Sequence, residues 1–285
     1  STSGVRNAMT TGQSLSIDVF AGAVDYLSFG DDGAAETVVL LHASATGAPA
    51  LSGLATQLSP GRRVLVPNLD GYGETKLDCA KCPATFRHIQ AVERFLAALG
   101  IDDFHLVGHS MGGLIALRIA RRARFRLKSL VLVEPMVFGV LDGERDAAAL
   151  AYDREMIRDF LAAVEEGSLE RGLALFTERV GGQKWSELSE RAQVELLALI
   201  PQIAEEAPLV SCDDLTADDF AAIGVPTLLL KTELGPPPAG PILDRLSDAL
   251  PHSRRETLAD TGHMAPVARP DAVGAAIERF YGALA

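Results

Sequence analysis

The chain has 285 residues, a formal charge of −12 and 48% hydrophobic residues. The acidic balance argues against a nucleic-acid-binding surface, which needs a basic field along the phosphates. The apolar content suffices for a large core, as one α/β domain or as a core with an insertion.

In chain order, strands are expected near Leu15–Phe20, Val24–Phe29, Thr37–Leu41, Arg63–Pro67, Phe104–Val107, Ser129–Val133, Thr227–Lys231 and Arg254–Leu258. Helical periodicity covers Ala84–Leu99, Leu114–Ala123, Ile242–Leu250 and Ala272–Ala283. Strands alternating with helices predict a largely parallel sheet covered on both faces. The stretch from Met136 to about Ala222 breaks the alternation, with helix-like runs around Ala147–Glu166, Leu169–Val180 and Glu187–Ala204 and no clear strand. An insertion between two core strands reads as a helical cap over 136–222, with the core formed by 1–135 and 223–285. Phe138, Met156, Phe160, Phe176 and Trp185 of the insertion are the expected pocket lining, although aromatic and Met side chains at helical spacing also serve as core.

No apolar run reaches the ~20 residues that span a bilayer. Ser1–Ser16 is polar and lacks the charged-then-apolar pattern of a secretory leader, so a cytoplasmic protein with no membrane partner is expected. Its three cysteines, Cys79, Cys82 and Cys212, do not form a disulfide scaffold. Cys79-Ala80-Lys81-Cys82 matches C-x-x-C, but a structural zinc site wants four ligands and no second pair exists, even with His88 drafted as a third. An exposed loop with reduced thiols is the expectation, with no metal and no cofactor. Arg118, Arg121, Arg122, Arg124, Arg126 and Lys128 read as a solvated helix C-terminus whose cations complement the helix dipole.

Gly108-His109-Ser110-Met111-Gly112 fits G-x-S-x-G between an apolar run, Phe104–Val107, and the helix-like stretch Leu114–Ala123. Such a strand-to-helix turn holds a serine Oγ exposed at a helix N-terminus, where developing negative charge is favoured. A nucleophilic serine needs a base and an oxyanion hole. His263, in the loop Asp260–Pro266 after the last strand, follows the serine in the required order. His88, His105 and His252 fall in helix, strand and polar turn, and His109 is read as support for the turn. For the oxyanion, the Met111 N–H is one donor and a residue of the small-residue loop His42–Gly47 supplies the other; Ser44 is chosen, with Ala43 as the alternative.

At this point the chain resembles the α/β-hydrolase superfamily, through Leu40-Leu41-His42-Ala43-Ser44, Val66–Gly73, Val107–Gly113 and Gly262-His263-Met264. The family's usual His-Gly pair reads His42-Ala43 here, and the hole donor after that pair maps onto Ser44. The resemblance implies an α/β-hydrolase fold and a triad acid after one of two strands. The strand Pro226–Lys231 is followed by Glu233 and no aspartate before Asp244, whereas Leu130–Val133 ends at Glu134-Pro135. Glu134 is preferred over Glu233, an arrangement resembling the Ser-Glu-His triads of some lactonases, including zearalenone-type hydrolases. A serine at the elbow counts against the epoxide hydrolases and haloalkane dehalogenases that resemble this fold.

The expected activity is cleavage of a small to medium apolar carboxylic ester or lactone through an acyl-enzyme formed on Ser110. C–C bond hydrolysis, thioester cleavage and cyanohydrin lysis stay open on the same triad, as does a slow-turnover ligand receptor that keeps the fold. A small-molecule substrate is the expected partner, and a homodimer is left open as the assembly state.

Overall fold

A computed structural model describes residues 12–79 and 81–284, so the expectation for the N-terminal stretch lies largely outside it. Among the described residues nine strands form one sheet: β1 Gln13–Val19, β2 Gly22–Gly30, β3 Thr37–Leu41, β4 Arg63–Pro67, β5 Lys76–Leu77, β6 Asp103–His109, β7 Arg126–Val133, β8 Thr227–Thr232 and β9 Ser253–Leu258. Their order is β1-β2-β4-β3-β6-β7-β8-β9, with the short β5 added beside β2. From β4 through β9 neighbouring strands run parallel, while β1, β2 and β5 pair antiparallel at one end.

The helices are α1 Ser52–Leu58, α2 Ala84–Ala98, α3 Met111–Arg122, α4 Ala147–Glu165, α5 Leu169–Phe176, α6 Glu190–Ala198, α7 Ile200–Ser211, α8 Ala217–Phe220, α9 Ala239–Ala249, α10 Ala265–Ala268 and α11 Pro270–Gly282. They cover both faces because the central strands are apolar on both. Val39, Leu41, Leu106, Leu130, Leu132 and Leu229 face a core closed by α2, α3 and α9. Alternate residues on the same strands, including Val38, Leu40, Val107, Val131 and Leu230, face α1 and α11. Burial on both sides is why these segments read as continuous Val/Leu runs with no polar alternation.

The chain leaves β3 toward β4 on one side and returns through α2 to β6 on the other. The loops after β3 and β6 therefore diverge and open a crevice at the carboxyl ends of the strands, the position where open α/β sheets bind ligands. Among the described residues the stretch between β7 and β8 contributes helices and no strand. Met156 and Phe160 of α4, Leu173 and Phe176 of α5, and Ile200 and Ile203 of α7 give it a small core of its own.

The helical run expected over Glu187–Ala204 is two helices, broken at Leu199–Ile200. Pro201 accounts for the break: it lacks the N–H that a continuous helix would use, and it stands instead in the first turn of α7. The run Leu169–Val180 leaves α-helical geometry after Phe176 for a π turn over Thr177–Gly181. Helix α1 and strand β5 had no counterpart in the sequence reading, both being short.

Two expectations are corrected. Cys79 and Cys82 are joined as a disulfide, not held as free thiols. The Cys82 N–H donates to the Cys79 carbonyl at 2.9 Å, and the turn brings the two Cα atoms to 5.5 Å, within disulfide reach. The arginines around the end of α3 are not merely solvated: Arg118 pairs with Asp213 and Asp214, Arg121 with Asp219, and Arg122 and Arg124 share Glu93. They tie α3 to α2 and to the chain around α8.

Candidate active site

Three strand ends converge at the crevice. β6 ends in His109, and Ser110 turns the chain into α3 with φ 54° and ψ −117°, a conformation that L-residues rarely adopt. Close packing forces the sharpness of the turn. A Cβ on Gly108 would strike the Gly112 carbonyl, one on Gly112 would strike the Leu41 and His42 carbonyls, and one on Gly113 would strike Pro135. α3 can therefore start only one residue after the serine.

The structure brings Ser110, His263 and Glu134 into one hydrogen-bonded chain. The Ser110 hydroxyl donates to His263 Nε2 at 3.0 Å, and His263 Nδ1 donates to Glu134 Oε2 at 2.8 Å. All three residues are buried. The second Glu134 oxygen accepts from the Thr232 N–H at 2.7 Å and the Thr232 hydroxyl at 2.5 Å, both at the end of β8. Glu134 sits at φ 41°, so its side chain leaves β7 sideways toward β8 and β9. Gly235 closes over it, and a Cβ there would collide with Glu134 Oε1 and Thr232 Oγ1. Glu233, the other carboxylate considered, is exposed and accepts instead from the Asp260 N–H at 2.8 Å.

Two further histidines hold the frame. His109 Nε2 donates to the His263 carbonyl at 2.8 Å, tying the elbow to the loop that carries the imidazole. His42 Nδ1 donates to the Ala43 carbonyl at 2.8 Å and its Nε2 accepts from the Leu69 N–H at 3.0 Å, which fixes the start of the loop after β3. Burial pushes the His42 pKa down to about 4 and the His109 pKa down to about 3, so both stay neutral near pH ~7.

Ser44 and Met111 share the cavity with Ser110 and His263, and among the described residues no acceptor meets either backbone N–H. The Ala43 N–H, on the same wall, also meets no acceptor among the described residues, so an unpaired amide does not by itself separate Ser44 from Ala43.

A carboxylate that the sequence reading missed stands behind this loop. Glu206 of α7 is fully buried and accepts four hydrogen bonds: Ser44 Oγ at 2.6 Å, Tyr72 OH at 2.7 Å, His88 Nε2 at 2.9 Å and Gln202 Nε2 at 2.6 Å. Tyr72 OH in turn accepts from the Ala45 N–H at 2.9 Å. Burial raises the Glu206 pKa, but the His88 ring and the Ser44 and Gln202 donors outweigh it and hold the carboxyl below its usual value. The helical stretch thus reaches down and grips the loop that bears Ser44. The available signal was the pair Glu205-Glu206 in the otherwise apolar helix Ile200–Ser211, which says neither that Glu206 is the buried one nor what it meets.

The cavity over Ser110 measures about 400 Å³. Phe138, Met156 and Phe176 line it, as expected from the sequence. Phe160 and Trp185 do not, and the expectation for them is corrected. Phe160 lies one helical turn beyond Met156, fully buried against Phe176 with ring centroids 5.7 Å apart, so it fills the helical stretch's own core. Trp185 packs on the flank of that core. Lining side chains not foreseen include Asp153, Val180 and Val210.

Among the described residues no group of His, Cys, Asp and Glu is arranged to hold a metal ion, and no helix is long and apolar enough to cross a membrane.

Residues 38–276 match the model of the alpha/beta hydrolase family. The chain belongs to that family, as its sheet order and strand-end site already indicated. A 2-hydroxy-6-oxo-6-phenylhexa-2,4-dienoate hydrolase of Burkholderia cepacia is 33% identical over 109 residues, which is 37% of this chain and 38% of the relative. A 2-hydroxy-6-oxo-2,4-heptadienoate hydrolase of Pseudomonas putida is 31% identical over 163 residues, 50% of this chain and 59% of the relative. The matches thus span between about two fifths and three fifths of these relatives' length. Carboxylesterase CesB of Bacillus subtilis superimposes with a TM-score of 0.73 at 18% identity, covering 95% of this chain and 92% of that one, a likeness of fold.

Proposed function

We propose that the protein is a serine hydrolase that cleaves a carboxylic ester or lactone through an acyl-enzyme on Ser110. The observation that carries this reading is the continuous Ser110–His263–Glu134 hydrogen-bonded chain at the foot of a largely apolar cavity. Ser110 Oγ attacks the carbonyl carbon as its proton passes to His263 Nε2. The Ser44 and Met111 amides hold the oxyanion, and the imidazolium is stabilised by Glu134. Collapse expels the alkoxide, which takes the proton from His263. Water, activated by the same imidazole, then releases the carboxylic acid and restores Ser110. The helical segment 136–222 acts as a cap that excludes water and selects the substrate.

The names of the relatives favour a second reading, C–C bond hydrolysis of a dienoate on the same residues. A dienoate carries a carboxylate, which a buried site must compensate with a cation or with several hydrogen-bond donors, and which nearby carboxylates repel. The cavity lining includes Asp153, Glu195 and Glu206 and, among the described residues, neither Lys nor Arg. This supports the ester or lactone reading over the dienoate.

The test compares hydrolysis of a p-nitrophenyl ester series and uncharged lactones with loss of the 2-hydroxy-6-oxo-dienoate chromophore. Fluorophosphonate labelling of parent and Ser110→Ala runs alongside. Ester turnover and labelling that vanish together in Ser110→Ala, by a factor of about 10³ or more, are the expected result. Turnover of the dienoate alone would replace this reading with the second.

A further inference from the structure

Asp153 of α4 lies on the wall of the cavity and is 7% exposed. Its Oδ2 accepts from the Ser211 hydroxyl at the end of α7. Among the described residues Oδ1 has no donor, and it is not among the sealed, unpartnered polar atoms of the interior, so it stays accessible on a residue that lines the cavity. The same cavity wall carries Met156, Ile157, Phe176 and Val210, apolar groups that cannot solvate a charge.

The other lining carboxylates are already engaged. Glu206 has both oxygens filled by four donors, and Glu195 pairs with Arg191 at an exposed edge. The neighbouring Arg154 side chain is exposed and does not pair with Asp153. A link between α4 and α7 through Ser211 would need only one acceptor oxygen, which an asparagine supplies equally well. The second oxygen is surplus to that link and costly to bury. Burial raises its pKa to about 6, so near pH ~7 the group is still largely ionised.

We infer that Asp153 is a substrate-recognition residue that receives a hydrogen-bond donor, a hydroxyl or a protonated amine, on the part of the substrate remote from the scissile carbonyl. This rests on the hydrolase reading and narrows it: the substrate is an ester or lactone that bears a donor and no carboxylate. Asp153 offers binding energy away from the reacting bond, which discriminates among substrates without touching the chemistry.

The test uses acyl p-nitrophenyl esters of graded chain length that end in methyl, hydroxyl, ammonium or carboxylate, with parent, Asp153→Asn and Asp153→Leu, at a pH of about 8 where Asp153 is ionised. The parent prefers the hydroxyl or ammonium ester over its methyl counterpart at some chain length, and disfavours the carboxylate. Both variants lower that preference by about tenfold or more, the cost of losing a hydrogen bond to a charged group. The hydroxyl and ammonium arms separate a dipolar from a cationic partner.

A second readout is independent of turnover. Binding of an n-alkanol, an n-alkylammonium and an n-alkanoate of equal length to Ser110→Ala, with and without Asp153→Asn, follows the same order. If the parent neither hydrolyses esters nor labels with fluorophosphonate, the hydrolase reading fails, yet the binding series still reports on Asp153. Preferences in turnover and binding that stay within about threefold on replacing Asp153 would overturn the inference.

Discussion

Glu134 and Glu233 are both carboxylates just past strand ends, within reach of the same loop. Only Glu134 meets His263, because Thr232 donates to it twice from the next strand and Gly235 leaves room for it. Glu134→Gln is expected to lower kcat by about 10²–10⁴-fold with little change in folding, since an amide neither stabilises the imidazolium nor holds its tautomer. Glu233→Gln, which loses one exposed acceptor, is expected to keep kcat within about threefold. Steady-state kinetics on any hydrolysed ester separates the two, and the reverse pattern would move the acid to Glu233.

At the scale of elements, the coupling that matters runs from α7 to the loop after β3. Glu206 gathers donors from that loop, from Tyr72 after β4 and from His88 on α2, joining segments with no sequence proximity. Glu206→Gln replaces an oxygen with a donor facing other donors. It should cost about 1.5–3 kcal/mol in urea denaturation and also lower turnover, because the loop bearing the Ser44 amide loses its brace. Ser44→Ala removes one donor and leaves the backbone amide, so its cost should be smaller, about 1 kcal/mol. Equal stability of Glu206→Gln and the parent would mean that the four bonds do not anchor the two parts. Phe160 and Phe176, neighbours in one small core, illustrate a related point: helical spacing alone does not say which of two aromatics faces the cavity.

For the whole molecule, buried neutral histidines set the acid side of the stability profile. His42 and His109 have folded-state pKa values of about 4 and about 3, below the ordinary imidazole value near ~6.5. Each resists protonation in the folded state but not in the unfolded one. Their contribution is therefore complete above pH ~6.5 and is lost as pH falls toward the folded values, at up to about 1.4 kcal/mol per pH unit for each ring. Asp153 has the opposite sign: its raised folded pKa makes ionisation destabilising, so its penalty is relieved as pH falls from about 6 toward ~3.8. Burial also holds the His105 pKa down and the Asp213 pKa up, so three rings stand against two carboxyls and leave a net loss. Urea midpoints should drop between pH ~7 and ~5, and a flat or rising profile would contradict the burial of the two imidazoles in solution.

Legible in the residues alone were the alternation of strands and helices, the helical stretch between β7 and β8, and Ser110 and His263 as the pair to watch. These rest on local signals: apolar runs bounded by breakers, glycines around a strand-to-helix turn, and chain order. Tertiary structure alone decided which glutamate meets His263, that Glu206 clamps the Ser44 loop, that Cys79 and Cys82 are paired, and that Asp153 opens on the cavity while Phe160 does not. All but the cysteine pair, which a local turn closes over three residues, depend on distances between residues far apart in the chain or on the rotation of a helix. A hydrogen-bond partner across the fold leaves no mark on the residues beside it in sequence, so the family resemblance could favour Glu134 over Glu233 while nothing local pointed to Glu206 or Asp153.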